Sequence, residues 1–88
     1  MKTFALEIDT PSEPFFNGPV EAVQLTIADG EVGIWANHEP FTAPVCRGPL
    51  KILKDGTWKE ASLSEGLIEV KADKTVILCN TAKWQGEE

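Results

Sequence analysis

The chain has 88 residues, of which 42% are apolar and 25% charged, so it is one domain at most, with a modest core and none of the signature of disorder. Fourteen acids against eight bases leave a net charge of −6, the wrong sign for gripping a phosphate backbone, and no nucleic-acid partner is expected. The longest unbroken apolar run, from Val76 to Cys79, is far too short to span a bilayer, and the N-terminal residues lack the apolar core of a signal peptide. Direct membrane insertion is not expected.

Alternation with a period of two, the mark of a strand with one buried face, dominates the pattern. Phe4, Leu6 and Ile8 alternate with Ala5, Glu7 and Asp9, and Val23, Leu25 and Ile27 alternate with Ala22, Gln24 and Thr26. Farther on, Leu50 and Ile52 flank Lys51, and Ile68 and Val70 flank Glu69. Thr75 to Asn80 is apolar on both sides, as expected of a strand buried within a sandwich or barrel. No long stretch keeps a 3.6-residue apolar period, so little or no helix is expected.

Turn chemistry separates these runs. Asp55-Gly56 sits between Leu50–Lys54 and Thr57–Leu63, a strong hairpin signal, and Asp29-Gly30 repeats it between Val20–Ile27 and Glu31–Ile34. Ala72-Asp73-Lys74 divides a third pair. All six prolines precede Leu50, which confines Thr10–Pro19 and Asn37–Pro49 to short strands, edges and irregular crossings. These signals predict an all-β domain over residues 1–84: a small antiparallel β-sandwich or flattened barrel of about eight to ten short strands. Residues 85–88 form a polar tail expected to fray.

The chemical inventory is thin. There is one histidine, His38, one arginine, Arg47, and no tyrosine, and no Gly-rich phosphate loop occurs. A metal site would have to be assembled from His38, Cys46 and Cys79 without any short ligand spacing. No catalytic, cofactor-binding or metal residues are assigned. With no secretory signal, Cys46 and Cys79 are expected as buried thiols rather than a disulfide. Trp35 and Trp58 are expected as partly buried core or cross-strand residues, and Trp84 as an anchor packing back on the sandwich, with a subunit contact as the other reading. Of the adjacent Phe15 and Phe16, a regular strand points only one inward.

Several stretches together resemble the epsilon subunit of F-type ATP synthases, in its N-terminal β-sandwich domain. They are Phe16-Asn17-Gly18-Pro19-Val20-Glu21-Ala22-Val23, then Asp29-Gly30-Glu31-Val32-Gly33-Ile34 continuing through Asn37-His38-Glu39-Pro40, then Gly48-Pro49-Leu50-Lys51-Ile52. Glu65-Gly66-Leu67-Ile68-Glu69-Val70 follows, and after Val76 comes Asn80-Thr81-Ala82. Each is weak alone, and their shared order from about Thr3 to Ala82 carries the resemblance. Departures fall in loops: Ala36-Asn37 stands where the family often has Pro-Gly, and Glu39 and Glu65 stand where small residues are usual.

The resemblance implies a non-catalytic rotor part of a proton-translocating ATP synthase. It would be packed against the gamma subunit and standing on the c-subunit ring, at the cytoplasmic face of a bacterial inner membrane or the equivalent stromal or matrix face. It places Asp29, Gly30 and Glu31 at the c ring, whose polar loops carry a basic residue in the family, and His38, Thr42 and Trp84 toward gamma. The family usually continues into an α-helical hairpin that binds ATP in some members. If the natural chain ends at Glu88, that regulatory function is expected to be absent. The alternative is a free-standing β-sandwich that binds a small ligand or glycan through exposed tryptophans.

Overall fold

A computed structural model describes residues 2–86, and its strands follow the alternation. In chain order they are β1 (Phe4–Asp9), β2 (Pro14–Val20), β3 (Ala22–Ile27), β4 (Gly30–Trp35), β5 (Phe41–Val45), β6 (Gly48–Lys54), β7 (Thr57–Leu63), β8 (Gly66–Val70), β9 (Lys74–Cys79) and β10 (Ala82–Trp84). No helix occurs among the described residues. The strands form one continuous sheet in the order β10-β7-β6-β3-β5-β8-β9-β1-β2, with β4 added to β3. The all-β, barrel-like architecture expected from the pattern is therefore what the chain adopts. Every pairing is antiparallel except β1 with β9, which run parallel and bring the first and ninth strands together.

The sheet folds over on itself where β3 meets β5, a junction held by the single pair Ile27 and Val45. Its two halves close on a core of Leu6, Ile8, Val20, Val23, Leu25, Ile34, Val45, Leu50, Ile52, Ala61, Leu63, Ile68, Val70, Ile77 and Cys79. Burying an aliphatic side chain of this kind stabilises by about 1.5–3 kcal/mol before entropy is counted. At the other margin the Glu21 N–H donates to the Leu53 carbonyl at 2.8 Å. The Lys54 ammonium donates to the Pro19 carbonyl at 3.3 Å and the Gly56 N–H to Glu21 Oε1 at 2.9 Å, so β2 and the β6–β7 hairpin are tied together.

The terminal strands of the path are joined by aromatic rings. Trp84 of β10 stacks on Phe15 of β2 at 4.6 Å between centroids and meets Phe16 edge-on at 6.1 Å. Lys59 Nζ lies 4.2 Å above the indole. Both phenylalanines face Trp84, against the expectation that only one could turn inward. The cause is a register shift: Ile8 pairs with Phe16 but Asp9 with Pro14, leaving Phe15 as an extra residue in β2. An inserted residue breaks the strict alternation of faces. Trp84 thereby packs against the core as an anchor.

Three other expectations need correction. The Asp55-Gly56 turn forms as expected, with φ of 51° and 75° between the paired Lys54 and Thr57. The second turn is displaced by one residue: Ile27 pairs with Gly30, so Ala28 and Asp29 make the loop and Gly30, at φ 118°, opens β4. β9 is not buried on both faces. Leu78 is 49% exposed, and its cross-strand partner Leu67 in β8 is 42% exposed. Cys46 is exposed while Cys79 is buried, and both are free thiols. Val45 takes the inward position at the end of β5, so its neighbour Cys46 faces out.

Ser64 is a polar residue inside the fold. Its Oγ accepts the N–H of Asn80 at 2.9 Å and of Thr81 at 3.0 Å, and it donates to the Glu65 carbonyl at 3.2 Å. It ties the β7–β8 connection to the β9–β10 turn. Of the polar tail expected over residues 85–88, Gln85 still donates to the Glu60 carbonyl at 2.9 Å, and Glu87 and Glu88 lie outside the described residues.

Candidate functional site

The registers sort the chain's loops to two ends. At the first end lie the β3–β4 turn, the Cys46–Gly48 link, the β7–β8 connection and the β9–β10 turn, joined by the Cys46 N–H to the Thr26 carbonyl at 2.9 Å. At the opposite end lie the β4–β5 loop, the β6–β7 hairpin turn and the β8–β9 turn. Strands antiparallel to their neighbours carry successive turns to opposite ends, and this separates the residues singled out from the sequence.

Asp29, Gly30 and Glu31 come together at the first end as one fully exposed turn. Glu31 faces outward on β4 opposite Thr26, and nothing fills the space at Gly30 within 4 Å. Two carboxylates on an uncovered turn are open to a cationic partner. His38 and Thr42 lie at the opposite end. His38 Nδ1 is 2.8 Å from the Glu39 carbonyl, which can only accept, so Nδ1 carries the proton. The imidazole packs tilted on Phe41 at 5.3 Å. Asn37 holds φ 68°, a left-handed conformation that asparagine tolerates better than most residues, and so supplies the backbone shape glycine would give. Thr42 is exposed on the outer face of β5, one alternation from Pro44.

Trp84 is not part of either group. It sits on the far margin, between β7 and the phenylalanines of β2, and its contacts are internal. Trp35 and Trp58 are partly buried cross-strand residues, as expected, but with 46% and 45% of their surface still exposed. Register explains it: Trp35 pairs with Ala22, Ala22 with Leu53, and Leu53 with Trp58, so the four form one row across the outer face of β4-β3-β6-β7. Ala22 and Leu53 are buried yet outside the main core, flanked by the two indoles. Alternation alone could not reveal this row, because it needs the register of three strand pairs.

Two outward features escaped the sequence reading. One is the apolar row Pro44, Leu67 and Leu78, neighbours across β5, β8 and β9 on the same face as Thr42. The other is a polar cluster on β1 and β9. Lys74 Nζ lies 2.6 Å from Glu7, whose carboxyl is held below its ordinary 4.5 by a hydrogen bond with Asp9 and then by Lys74. Asp9 is pushed above 3.8, first by that same hydrogen bond and then by desolvation. The ammonium favours the charged form of Glu7, and that carboxylate in turn disfavours the charged form of Asp9. Among the described residues no group of three or more His, Cys, Asp or Glu is arranged to hold a metal ion.

This geometry defines a small, flattened β-barrel domain whose outward side chains are grouped at two opposite ends and along apolar rows. Comparison with known proteins gives the family. A model of the beta-sandwich domain of the ATP synthase delta/epsilon chain matches residues 3–85, and the chain belongs to that family. It is 45% identical over 87 residues to the ATP synthase epsilon chain of Caldicellulosiruptor bescii, covering 99% of this chain and 64% of that protein. It is 44% identical to the epsilon chain of Ruminiclostridium cellulolyticum, covering 99% of this chain and 65% of that one. The chain thus spans less than two thirds of the length of these relatives.

Among solved structures, a chain of the Euglena gracilis mitochondrial ATP synthase superposes with a TM-score of 0.88 at 22% identity, covering 93% of this chain and 53% of that one. A chain from the central stalk and c ring of the Tetrahymena thermophila mitochondrial ATP synthase gives 0.77 at 17% identity, over 92% and 66%. These likenesses establish the shared fold.

Proposed function

We propose that this domain is a non-catalytic part of the central stalk of a proton-translocating F-type ATP synthase, one that joins the gamma subunit to the c-subunit ring and carries rotation between them. The observation that carries the reading is the placement of two candidate contact groups at opposite ends of one rigid barrel. The acidic turn Asp29–Glu31 is at one end, and His38 with Thr42 is at the other. A body with contacts at both ends can transmit torque without chemistry of its own. The family match over residues 3–85 supports it.

The acidic turn meets the ring, where a rim carboxylate sets register more than affinity. His38 and Thr42 meet gamma, and Trp84 acts there only by holding the barrel closed. The domain works at the cytoplasmic face of a bacterial inner membrane, or the organellar equivalent, as a peripheral component, and no helix of the described residues is long and apolar enough to cross a membrane. The test is co-elution of the purified chain with a cognate gamma subunit in size-exclusion chromatography. A stoichiometric complex is expected, and two separate peaks at micromolar concentration of folded partners would refute the reading.

A further inference from the structure

A hollow of about 570 Å³ opens at the first end of the barrel between β6, β7 and β10. It is lined by Pro49, Leu63 and Ala82 together with Arg47, Lys83 and the hydroxyl residues Ser62 and Thr81. Register brings these together: Pro49 pairs with Ser62 and Ser62 with Lys83, so they form one outward row, while Gly48, Leu63 and Ala82 form the next. The Ser64 hydroxyl, also in the lining, is already committed to Asn80, Thr81 and Glu65.

Its charge is what separates this hollow from the rest of the surface. With fourteen acids and eight bases, an arbitrary patch of this chain should contain a carboxylate. The other hollows do: Glu21 and Asp55 line one, Asp9 and Glu65 another, Glu65 a third and Glu31 a fourth. This one has none, and it is lined by the chain's single arginine and a lysine; Arg47 also borders the neighbouring hollow that holds Glu65. The ion pairs found among the described residues, Glu69 with Lys71 and Glu7 with Lys74, involve neither cation. A guanidinium, an ammonium and two hydroxyls able to donate, all lining one hollow, are chemistry matched to a tetrahedral oxyanion.

We propose that the hollow between β6, β7 and β10 is an anion site that takes a phosphate group, with Arg47 and Lys83 supplying the charge and Ser62 and Thr81 the neutral donors. The chemistry is shared by a free phosphate or phosphate ester and by an anionic phospholipid headgroup. Only the headgroup source rests on the stalk reading, because the hollow is at the same end as the Asp29–Glu31 turn and would then face the membrane.

The test is titration of the isotope-labelled chain with inorganic phosphate, followed by amide shifts, against chloride at matched ionic strength. Saturable shifts centred on Arg47–Gly48, Ser62 and Thr81–Lys83 are expected in the millimolar range. Arg47→Gln and Lys83→Gln should each weaken binding about tenfold, the loss of one charge-assisted contact. Lys71→Gln, which removes a cation elsewhere, should leave it unchanged. In parallel, flotation with vesicles of neutral lipid alone or with anionic phospholipid added separates the sources. Capture by anionic vesicles that Arg47→Gln and Lys83→Gln abolish assigns the headgroup, and phosphate shifts without capture assign the soluble ligand. Shifts that chloride reproduces without vesicle capture, or vesicle capture indifferent to both substitutions, would overturn the site. The co-elution experiment with gamma reads a different surface, so either result can fail without the other.

Discussion

Trp84 and Phe15 stack at 4.6 Å across the seam between the first and last strands of the sheet path, and so close the barrel from residues nearly seventy positions apart in the chain. The stack exists because the bulge at Phe15 turns two consecutive rings to one side. Trp84→Ala is expected to destabilise the isolated domain by about 2–4 kcal/mol, between a half-buried and a fully buried aromatic truncation. A double-mutant cycle with Phe15→Ala should give a coupling of about 0.5–1.5 kcal/mol in urea unfolding. Zero coupling would mean the rings are adjacent without being energetically joined.

Gly66 is held by a closer approach still. A Cβ at this position would lie 2.0 Å from the Leu78 carbonyl oxygen, and a backbone atom in a paired strand cannot step aside as a side chain can. Gly66→Ala is therefore expected to cost more than about 3 kcal/mol, beyond ordinary overpacking. Circular dichroism melting of the variant checks it. Gly30→Ala, which has open space around it but needs φ 118°, should cost less.

Much of this was legible in the sequence, and most of the failures share a cause. Alternation gives the parity of each residue within its own strand, and so the core from Leu6 to Ile77 was readable. It does not give the register between strands, and most of the misses depend on register. The outer row from Trp35 to Trp58, the exposed Leu67–Leu78 pair, the parallel β1–β9 contact and the Phe15 bulge all arise between strands. Apolar residues on both faces of β9 signalled double burial, yet one face is open. Turn chemistry placed the Asp55-Gly56 hairpin correctly, while Asp29-Gly30 misled by one residue, because glycine can serve after the loop as well as within it. For the candidate site, the motifs gave the residues, and only the topology showed that the acidic turn and His38 lie at opposite ends.

The Glu7 and Asp9 carboxyls, joined by a hydrogen bond with Lys74 beside Glu7, are shifted in opposite directions. Glu7 is lowered, so it contributes stability above its ordinary 4.5 that is lost as pH falls through the lowered value. Asp9 is raised, so it costs stability above its ordinary 3.8, and the cost disappears as pH falls through the raised value. The two oppose each other in mildly acidic solution, so little net change in stability is expected there. Carboxyl carbon NMR should show Glu7 titrating below its ordinary 4.5 and Asp9 above its ordinary 3.8. Lys74→Gln should move the Glu7 midpoint upward. Lys74 itself is raised by Glu7, so its contribution is complete below 10.5 and lost as pH rises through the higher folded value.

The three indoles should separate by exposure. Acrylamide, being neutral, avoids the attraction that Lys59 over Trp84 would exert on iodide. Trp84→Phe, which leaves Trp35 and Trp58, is expected to give a steeper quenching slope than Trp35→Phe combined with Trp58→Phe. Equal slopes would mean that the outer row is covered in solution, by a second copy of the chain or another occupant.

The acidic turn offers the sharpest test of the stalk reading. The Glu31 side chain is exposed, outside the ion pairs found among the described residues, and mounted on a strand whose inward neighbours Val32 and Ile34 fix the turn's direction. Its reversal to lysine should therefore leave melting temperature unchanged within about a degree. A rim carboxylate facing a cation contributes about 0.2–1 kcal/mol, and placing a like charge there removes it and adds repulsion. Glu31→Lys is thus expected to weaken association with an isolated c ring by about tenfold at low salt, and by less as salt screens the contact. Asp73→Lys makes the same change in net charge at the opposite end and should leave ring binding untouched. Equal losses for the two variants would mean that overall charge, and not the turn, governs the encounter; no loss for either would remove the turn from the interface.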